Sequence, residues 1–476
     1  MYTDYSTSPK KSKTKKMTFN YLKNKHLSVF VSFALILFSG CKKDFTNNSI
    51  QSQSNSSLQL TQSRKPNIIL FIADDYGYEL PTYTGGQSYY TPNQDLMAAN
   101  GTQFSEAYCH PDGYPSRLAL YTGKYNFRNY TVWGQLPVGE KTIGNMLHDA
   151  GYATCFVGKW NCDGGDSRIV SAGFDKYRVF LPFAKSNEDF KYQYKDPKLY
   201  ESGNFLPSSQ TQGQYSEDMY VDYLSKFIDS NKTNPFFSVY AFNLPRTPWA
   251  PTPDDPDYAT WSSDSVTDAR GNIKYFPGMV NYLDKSLGKI MKKINDAGLQ
   301  NNTIFLFTSD NPTNRAVTSL WNGIQQKGTK NFTTLAGTHV PFVAYGPGLV
   351  ASGVNTAAMV DYTDFLPSLA GIAGIPVPTN YGILDGTTFY DELTATNGPD
   401  RSHIFCSWDN SQKDNKPEVR YVHDLNYKLY DFNNYANFFN VKKDPKERKP
   451  LVDSTLTPIE LAEKLNFEAV LQSMHN

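Results

Sequence analysis

The chain has 476 residues, and its 46 Lys plus Arg are balanced by 46 Asp plus Glu, so its formal net charge at pH 7 is zero. A chain without excess positive charge lacks the electrostatic footprint of a general nucleic-acid binder, and we expect no nucleic acid among its partners. Aromatic residues make up 14% of the sequence. Exposed aromatic rings suit the faces of sugars, although core packing is the commoner use of such residues.

The N-terminal region predicts export. A lysine-rich stretch precedes the apolar run LSVFVSFALILFSGC at residues 27–41, which is shorter than the roughly 20 residues of a transmembrane helix and typical of a signal peptide. Its end, LFSGC, resembles the processing box of bacterial lipoproteins. We therefore predict a signal peptide over residues 1–41 that begins at Met1 or Met17, lipidation of Cys41, and an exported lipoprotein in the periplasm or at the cell surface, tied to the membrane by its lipid. An ordinary secretory signal is the alternative.

Residues 42–64 are polar and rich in Ser, Gln and Asn, which predicts a flexible tether. Strands and helices then alternate. Apolar runs typical of buried strands lie at 68–73, 153–157, 235–245 and 339–348, and another ends at 309–311. Helices are predicted at 142–150 and from 279 to a stop at Gly298. This alternation predicts an α/β domain over residues 65–385, with a large, mostly parallel sheet sandwiched by helices.

The pattern changes after about residue 385. Short antiparallel strands and a capped amphipathic helix at the end of the chain predict a smaller α+β subdomain over residues 386–476. The cysteines other than Cys41 have spacings that specify no disulfide and no zinc site; they are Cys109, Cys155, Cys162 and Cys406.

Polar residues follow the predicted strands at their carboxyl ends, where parallel sheets place their sites. Asp74 and Asp75 follow one strand, and Asp310 and Asn311 follow another. Three carboxylates and an amide oxygen, without His or Cys, suit a hard divalent cation, calcium before magnesium. The alternative is a structural network of solvated strand ends.

The ordered motifs over roughly residues 65–375 resemble the sulfatase family, within the alkaline-phosphatase-like superfamily. The matching stretches are KPNIILFIADDYGY, TPNQDLMAANGTQFSEAY, PSRLALYTGKY, TIGNMLHDAGYATCFVGKW, MVNYLDKSLGKIMKKINDAGLQNNTIFLFTSDN, AGTHVPFVAYGPG and VDYTDFLPSLAGIAGI. The resemblance implies a large sheet sandwiched by helices with a small C-terminal sheet, a sulfuric ester hydrolase acting on sulfated polysaccharide, and a calcium site. The family's four ligand positions fall on Asp74, Asp75, Asp310 and Asn311.

The nucleophile that the resemblance implies is missing. In the family, a cysteine or serine opens a five-residue motif ending Pro-Ser-Arg and is converted to formylglycine, whose hydrate attacks sulfur. Counting back from Arg117, which matches a position that orders the nucleophile loop, puts that residue at Gly113. Glycine has no side chain to oxidise, so no formylglycine is expected. The weaker substitutes are Cys109, which needs a four-residue shift of register, and Asp112 as base or nucleophile.

Two catalytic histidines of the family are replaced as well. Asn161 follows Gly-Lys-Trp in place of one, and Arg246 stands between Pro245 and Pro248 in place of the other. Neither side chain exchanges protons near neutral pH.

The anion contacts that the resemblance implies are retained. Lys159 matches the sulfate-binding lysine of the family, and Arg246 adds a fork suited to sulfate, phosphate or carboxylate. Lys330 matches a further lysine, with Lys327 as the alternative.

Two functions fit these residues. One is hydrolysis of sulfate esters on sulfated polysaccharide by an unconventional nucleophile or water. Loss of the usual nucleophile can lower the rate by about 10⁶, which corresponds to roughly 8 kcal/mol in the activation barrier. The other, which we favour, is a pseudoenzyme that binds anionic glycan at the cell surface without cleaving it. Phosphoester hydrolysis or transfer, which the superfamily includes, is a third.

Overall fold

The computed structural model describes residues 64–475, apart from 130–131, 184–186, 397, 399 and 410–416. The predicted signal peptide, Cys41 and the tether up to residue 63 lie outside the described residues and stay predictions. Among the described residues, no helix combines the length and the apolar character that crossing a membrane requires.

Within the residues that the structure describes, sixteen strands form three sheets. In chain order they are β1 Asn67–Ala73, β2 Thr102–Tyr108, β3 Ala153–Lys159, β4 Lys176–Phe180, β5 Tyr200–Glu201, β6 Asn204–Phe205, β7 Phe236–Ala241, β8 Thr303–Ser309, β9 Thr318–Trp321, β10 Ile324–Lys327, β11 His339–Tyr345, β12 Val354–Asp361, β13 Ile404–Trp408, β14 Val419–His423, β15 Tyr427–Tyr430 and β16 Phe438–Asn440. The large sheet has the order β12-β2-β11-β8-β1-β7-β3-β4-β5-β6, and β9 with β10 forms a separate hairpin. Strands β8, β1, β7, β3 and β4 run parallel, whereas β11 is antiparallel to both of its neighbours.

The α-helices are α1 Pro92–Ala99, α2 Gly113–Thr122, α3 Asn126–Asn129, α4 Ile143–Asp149, α5 Gly165–Ser171, α6 Ser208–Thr211, α7 Ser216–Ser230, α8 Phe276–Asp296, α9 Phe365–Ala373, α10 Tyr390–Thr394 and α11 Pro458–Ser473. Short 3₁₀ turns lie at Thr82–Thr84, Asn187–Tyr192, Ser263–Ser265, Ile273–Tyr275, Gln300–Asn302, Leu335–Gly337, Tyr362–Asp364, Phe432–Asn434 and Asp453–Thr455.

Strand β1 divides its side chains between two cores. Ile68, Leu70 and Ile72 join an apolar core with residues of α2, α4 and α9, whereas Ile69 and Phe71 join another with residues of α7 and α8. Every residue of β1 is buried, because a parallel strand with helices on both faces of its sheet has no solvent side. The predicted sheet, mostly parallel and sandwiched by helices, is confirmed.

The C-terminal region is a four-stranded antiparallel sheet in the order β13-β14-β15-β16. Helix α11 packs on it through Phe467 and Leu471, which share an apolar cluster with Phe405 and Leu429. Its first turn is fixed by Thr457, whose side chain accepts a hydrogen bond from the Glu460 backbone amide while the Glu460 carboxylate accepts one from the Thr457 amide. The predicted α+β subdomain is confirmed, whereas the predicted domain limits stay predictions.

Strand register decides which residues meet at the carboxyl edge of the large sheet. Ala73 of β1 pairs with Ser309 of β8, so the residues that follow them, Asp74 and Asp310, leave the sheet side by side. The Asp310 amide donates to the Ala73 carbonyl at 2.9 Å and continues the ladder by one residue. Lys159 ends β3 at the same edge, where parallel strands of an α/β sheet place their sites.

Candidate functional site

The predicted oxygen ligands form one buried cluster, which we call the oxygen cluster: Asp74, Asp75, Asp310 and Asn311. One carboxylate oxygen from each aspartate lies within 4.8 Å of the others. Asp75 has φ of +65°, a left-handed conformation that Asp and Asn tolerate better than most residues. Its amide donates to Asp310 Oδ1 at 3.2 Å, and Asn311 Nδ2 donates to Asp75 Oδ1 at 2.8 Å.

Two oxygens of the cluster fit a cation. Asp74 Oδ1 and Asn311 Oδ1 are buried and accept no hydrogen bond from any described residue. A buried acceptor without a donor costs free energy, so such atoms in a native structure are usually paired with something else. An all-oxygen donor set with unsatisfied lone pairs is what a hard divalent cation requires, and the four residues of the oxygen cluster would hold it.

Three cationic side chains surround the oxygen cluster. Lys159 Nζ lies 2.5 Å from Asp74 Oδ2 and 3.6 Å from Asp310 Oδ2. Arg117 donates to Asp310 Oδ2 from Nε at 3.0 Å and lies 2.9 Å from it through Nη2. Lys330 contacts Asp75 Oδ1. Of the two lysines that the sequence left open, Lys330 therefore reaches the cluster, whereas Lys327 ends β10 and is exposed.

Burial and neighbouring charges shift the pKa values in opposite directions. Burial, with a further contribution from the charge of Asp310, raises the pKa of Asp74 to about 6. Burial acts in the same way on Asp310, but Arg117 and Lys159 outweigh it and hold the pKa of that carboxyl below its usual value. Burial and the charge of Arg246 lower the pKa of Lys159 to about 8. An additional positive charge beside Asp74 would favour its ionised form.

Gly113 is the first residue of α2 and faces the oxygen cluster. A Cβ placed on Gly113 in ideal geometry would lie 2.2 Å from Asp310 Oδ2 and 2.8 Å from Asn311 Oδ1. The Asp310 carboxylate has little freedom to retreat, because Arg117 and Lys159 contact the same oxygen, Oδ2. The space that a side chain at position 113 would need is therefore filled by Asp310.

The two substitute nucleophiles are engaged elsewhere. The Cys109 thiol donates to the carbonyl oxygens of His110 at 3.1 Å and Thr338 at 3.2 Å, and burial raises its pKa well above the ordinary value, so the reactive thiolate is disfavoured. The Asp112 side chain accepts from the Tyr114 amide as the cap of α2. These contacts argue against both residues as nucleophiles.

Arg246 lies in the loop after β7, beside the oxygen cluster. Its Nε is 4.0 Å from Asp74 Oδ1, and its guanidinium lies 4.6 Å from the centre of the Phe190 ring. Its Nη1 is buried and has no hydrogen-bond partner among the described residues. The backbone is fixed by Tyr194, whose hydroxyl donates to the Arg246 carbonyl at 2.6 Å. Arg246 thus presents a fixed cation with a donor that lacks an acceptor.

Asn161 follows β3 with φ of +54°, and its amide donates to the Leu181 carbonyl at 3.2 Å. It is half-buried.

Phe190 and Tyr194, which support Arg246, were not predicted from the sequence. They lie in a segment without strand or helix periodicity, about 50 residues away from Arg246 along the chain, and only their aromatic character marks them.

A mostly parallel sheet whose carboxyl edge carries the oxygen cluster, ringed by Lys and Arg, is the architecture of the alkaline-phosphatase-like class of α/β folds. The sequence profile of the Sulfatase family matches residues 66–375. The chain therefore belongs to the sulfatase family.

Curated relatives and solved structures agree with this assignment. Arylsulfatase A of Homo sapiens is 29% identical over 377 residues, which cover 73% of this chain and 71% of the relative. N-acetylgalactosamine-6-sulfatase of Homo sapiens is 27% identical over 452 residues, with 81% of each chain covered. The crystal structure of Ps i-CgsB in complex with k-i-k-neocarrahexaose superposes with a TM-score of 0.71 at 26% identity and covers 86% of this chain and 93% of the other.

We predict that a divalent cation stabilises the protein through the oxygen cluster. Adding Ca²⁺ or Mg²⁺ to EDTA-treated protein should raise the Tm, because a ligand at 100 times its Kd adds about 2.7 kcal/mol to the free energy of unfolding. Asp75→Asn should reduce this rise strongly, since asparagine suits the positive φ but lacks the charge. Asp254→Asn, the same change at an exposed aspartate, serves as the control. An equal rise for Asp75→Asn and the wild type would contradict the assignment.

We also predict that a side chain at position 113 destabilises the protein. Gly113→Ala should lower the free energy of unfolding by about 1–3 kcal/mol, the usual cost of overpacking, although Gly-to-Ala changes in unstrained positions stabilise by about 0.4–1 kcal/mol. The control is Gly278→Ala in the first turn of α8, where the nearest atom to an added Cβ is Asp255 Oδ2 at 3.0 Å. Denaturant unfolding measures both variants. A Gly113→Ala protein as stable as the wild type would show that Asp310 yields easily.

Proposed function

We propose that this member of the sulfatase family binds sulfated polysaccharide at the oxygen cluster and its cationic ring without cleaving it through formylglycine. The observation that carries the proposal is the contact at position 113. Glycine offers no atom to oxidise, and the Asp310 carboxylate fills the volume where a nucleophile would stand. The residues at the two histidine positions of the family also argue against cleavage, since neither Asn161 nor Arg246 exchanges a proton near neutral pH.

The cationic side chains at the edge of the sheet support binding of a sulfated ligand. Lys159, Lys330 and Arg246 converge on one edge of the sheet, and the guanidinium fork of Arg246 suits the oxygens of a sulfate group. Burial of Lys159 strengthens its interaction with an incoming anion, because the local dielectric is low. A structural relative at 26% identity is solved with a carrageenan hexasaccharide, which favours sulfated glycan as the ligand class.

We further propose calcium as the resident cation. Carboxylate and amide oxygens in an irregular arrangement suit Ca²⁺ better than Mg²⁺, which demands near-ideal octahedral geometry and keeps several waters. When bound, the ion would supply positive charge that offsets the three carboxylates and attracts a sulfate oxygen. Ca²⁺ should therefore give a larger rise in Tm than Mg²⁺ at equal concentration.

We predict that a panel of sulfated oligosaccharides, tested with Ca²⁺ present, shows saturable binding to the purified protein without sulfate release. Arg246→Ala should weaken binding about 30-fold, because a hydrogen bond to a charged group is worth about 1.5–3 kcal/mol. Arg448→Ala, which removes an exposed arginine of the C-terminal subdomain, should leave binding unchanged. Titration calorimetry measures affinity, and ion chromatography measures free sulfate.

Release of sulfate by the wild type would overturn the non-hydrolytic proposal and support hydrolysis by an unconventional nucleophile or water. Phosphate release from phosphoesters, measured on the same protein, would favour the third function. Mass spectrometry of the peptide over residues 109–117 shows directly whether Cys109 is ever oxidised to an aldehyde.

We propose that the chain acts as an exported lipoprotein, because the LFSGC sequence that ends at Cys41 resembles a lipoprotein processing box. Expression with a labelled fatty acid should place the label on the wild type and leave Cys41→Ala unlabelled. The control is Cys406→Ala, which removes a buried cysteine of the C-terminal sheet. Equal labelling of Cys41→Ala and the wild type would contradict lipidation at this position.

A further inference from the structure

Two clefts lie between the same two segments of the chain, and Arg246 lines the first of them. The first, the Arg246 cleft, has a volume of about 720 Å³ and is lined by Phe190, Lys191, Arg246 with the two residues after it, and 266–269. The second, the Phe205 cleft, measures about 640 Å³, and its lining includes Tyr192, 196–198, Phe205, Gln212 and 262–264. Both volumes fall in the range of about 300–1,000 Å³ that ligand sites occupy.

The two clefts share their walls. Residues 190 and 191 line the first cleft together with residues 266–269. Tyr192 lines the second cleft together with residues 262–264. The clefts are separated by a single bridge, in which the Tyr192 hydroxyl donates to Asp264 Oδ1 at 2.6 Å and Lys191 Nζ lies 3.5 Å from the same oxygen. The two clefts are therefore neighbours with a polar bridge between them, and together we call them the groove, whose first cleft is lined by Arg246.

The walls of the groove are fixed. Lys195 Nζ donates to the carbonyl oxygens of Tyr258 and Trp261, each at 2.7 Å, and the Ser263 hydroxyl donates to the Lys195 carbonyl at 2.7 Å. These bonds tie the segment before Ser263 to the opposite wall. A groove that is held open in this way is preorganised, so a ligand does not have to order it.

The far cleft displays an aromatic side chain that core packing does not require. Phe205 is 47% exposed, and its ring lies edge-on to the Tyr200 ring at 5.2 Å between centroids. Lys198 stands on the same cleft and lies over the Tyr192 ring at 5.3 Å. An exposed ring beside charged and polar groups is the composition of a binding surface, with an apolar face to pack on and donors to fix orientation.

We propose that this groove binds the continuation of the polysaccharide whose sulfate group sits at Arg246, so that the protein recognises a stretch of several sugars and not a single sulfated sugar. The inference rests on the proposed function. The occupant is inferred from the position of the groove. Arg246, the residue proposed to bind the sulfate group, lines its first cleft, so the sugars attached to that group would enter it. Phe205 provides the stacking face for a sugar ring in the far cleft, and the bridge between Tyr192 and Asp264 offers hydrogen bonds to the hydroxyls of the sugar between.

The test compares chain lengths. Disaccharides and hexasaccharides of heparin and of ι-carrageenan are titrated into the full-length protein with Ca²⁺ present. At least one hexasaccharide should bind about tenfold or more tightly than its disaccharide. Phe205→Ala should remove most of this gain and leave the disaccharide affinity unchanged, whereas Phe205→Tyr, which keeps the ring, should retain it.

The matched control is Tyr435→Ala, which removes an aromatic ring that is 89% exposed in the C-terminal subdomain. It should change neither affinity. Circular dichroism and the Tm of Phe205→Ala establish that the variant is folded. Because Phe205 lies on a two-residue strand at the edge of the described sheet, its loss is local.

The outcomes separate the two proposals. If neither hexasaccharide binds the wild type, the proposed function fails and the groove with it. If disaccharide and hexasaccharide bind equally, or if Phe205→Ala keeps the full gain, the groove proposal alone is overturned, and the effect of Arg246→Ala still stands for the proposed function.

Discussion

Neutralisation of buried carboxylates is the constraint on which the rest of this structure depends. Parallel pairing of β1 with β8 forces Asp74 and Asp310 to leave the sheet as neighbours, and both are fully buried. Charges without partners at that depth would cost several kcal/mol each. Arg117, Lys159 and Lys330 therefore follow from the register: each reaches one or two of the acidic side chains, and the two unsatisfied oxygens that remain, on Asp74 and Asn311, leave a place for a further cation.

Much of the fold could be predicted because its strands are buried on both faces. The apolar run of β1 and the helix–strand alternation around β8 are typical of a parallel sheet covered by helices, and the oxygen cluster then follows from where those strands end. The support of Arg246 could not be predicted. Phe190 and Tyr194 lie in a loop without periodicity, and only tertiary folding brings them to Arg246. Which of Lys330 and Lys327 reaches the oxygen cluster could not be predicted either. The answer depends on the path of the β9–β10 hairpin, and the sequence of this segment has no pattern that aligns one lysine rather than the other with the cluster.

The same reasoning explains why the sequence identified the glycine but not its consequence. Counting from Arg117 located Gly113, yet nothing in the order of residues indicates that Asp310 fills the neighbouring volume. Because protein interiors leave few voids, a neighbouring side chain occupies the space that glycine leaves free, and a larger residue at position 113 would collide with it. In the proposed function, Arg246 and the groove beside it act together, because both would add contacts for a bound anion and its attached chain.

Position 113 also determines how this protein would behave toward chemical probes. Hydrazides and aminooxy compounds label an enzyme of this kind by condensing with an aldehyde carbonyl, and a glycine at the helix start provides none. Under the proposed function, a survey that counts sulfatases by carbonyl labelling would therefore omit this chain. Retention on an immobilised sulfated polymer, which the proposed function predicts, requires the cationic side chains and no aldehyde.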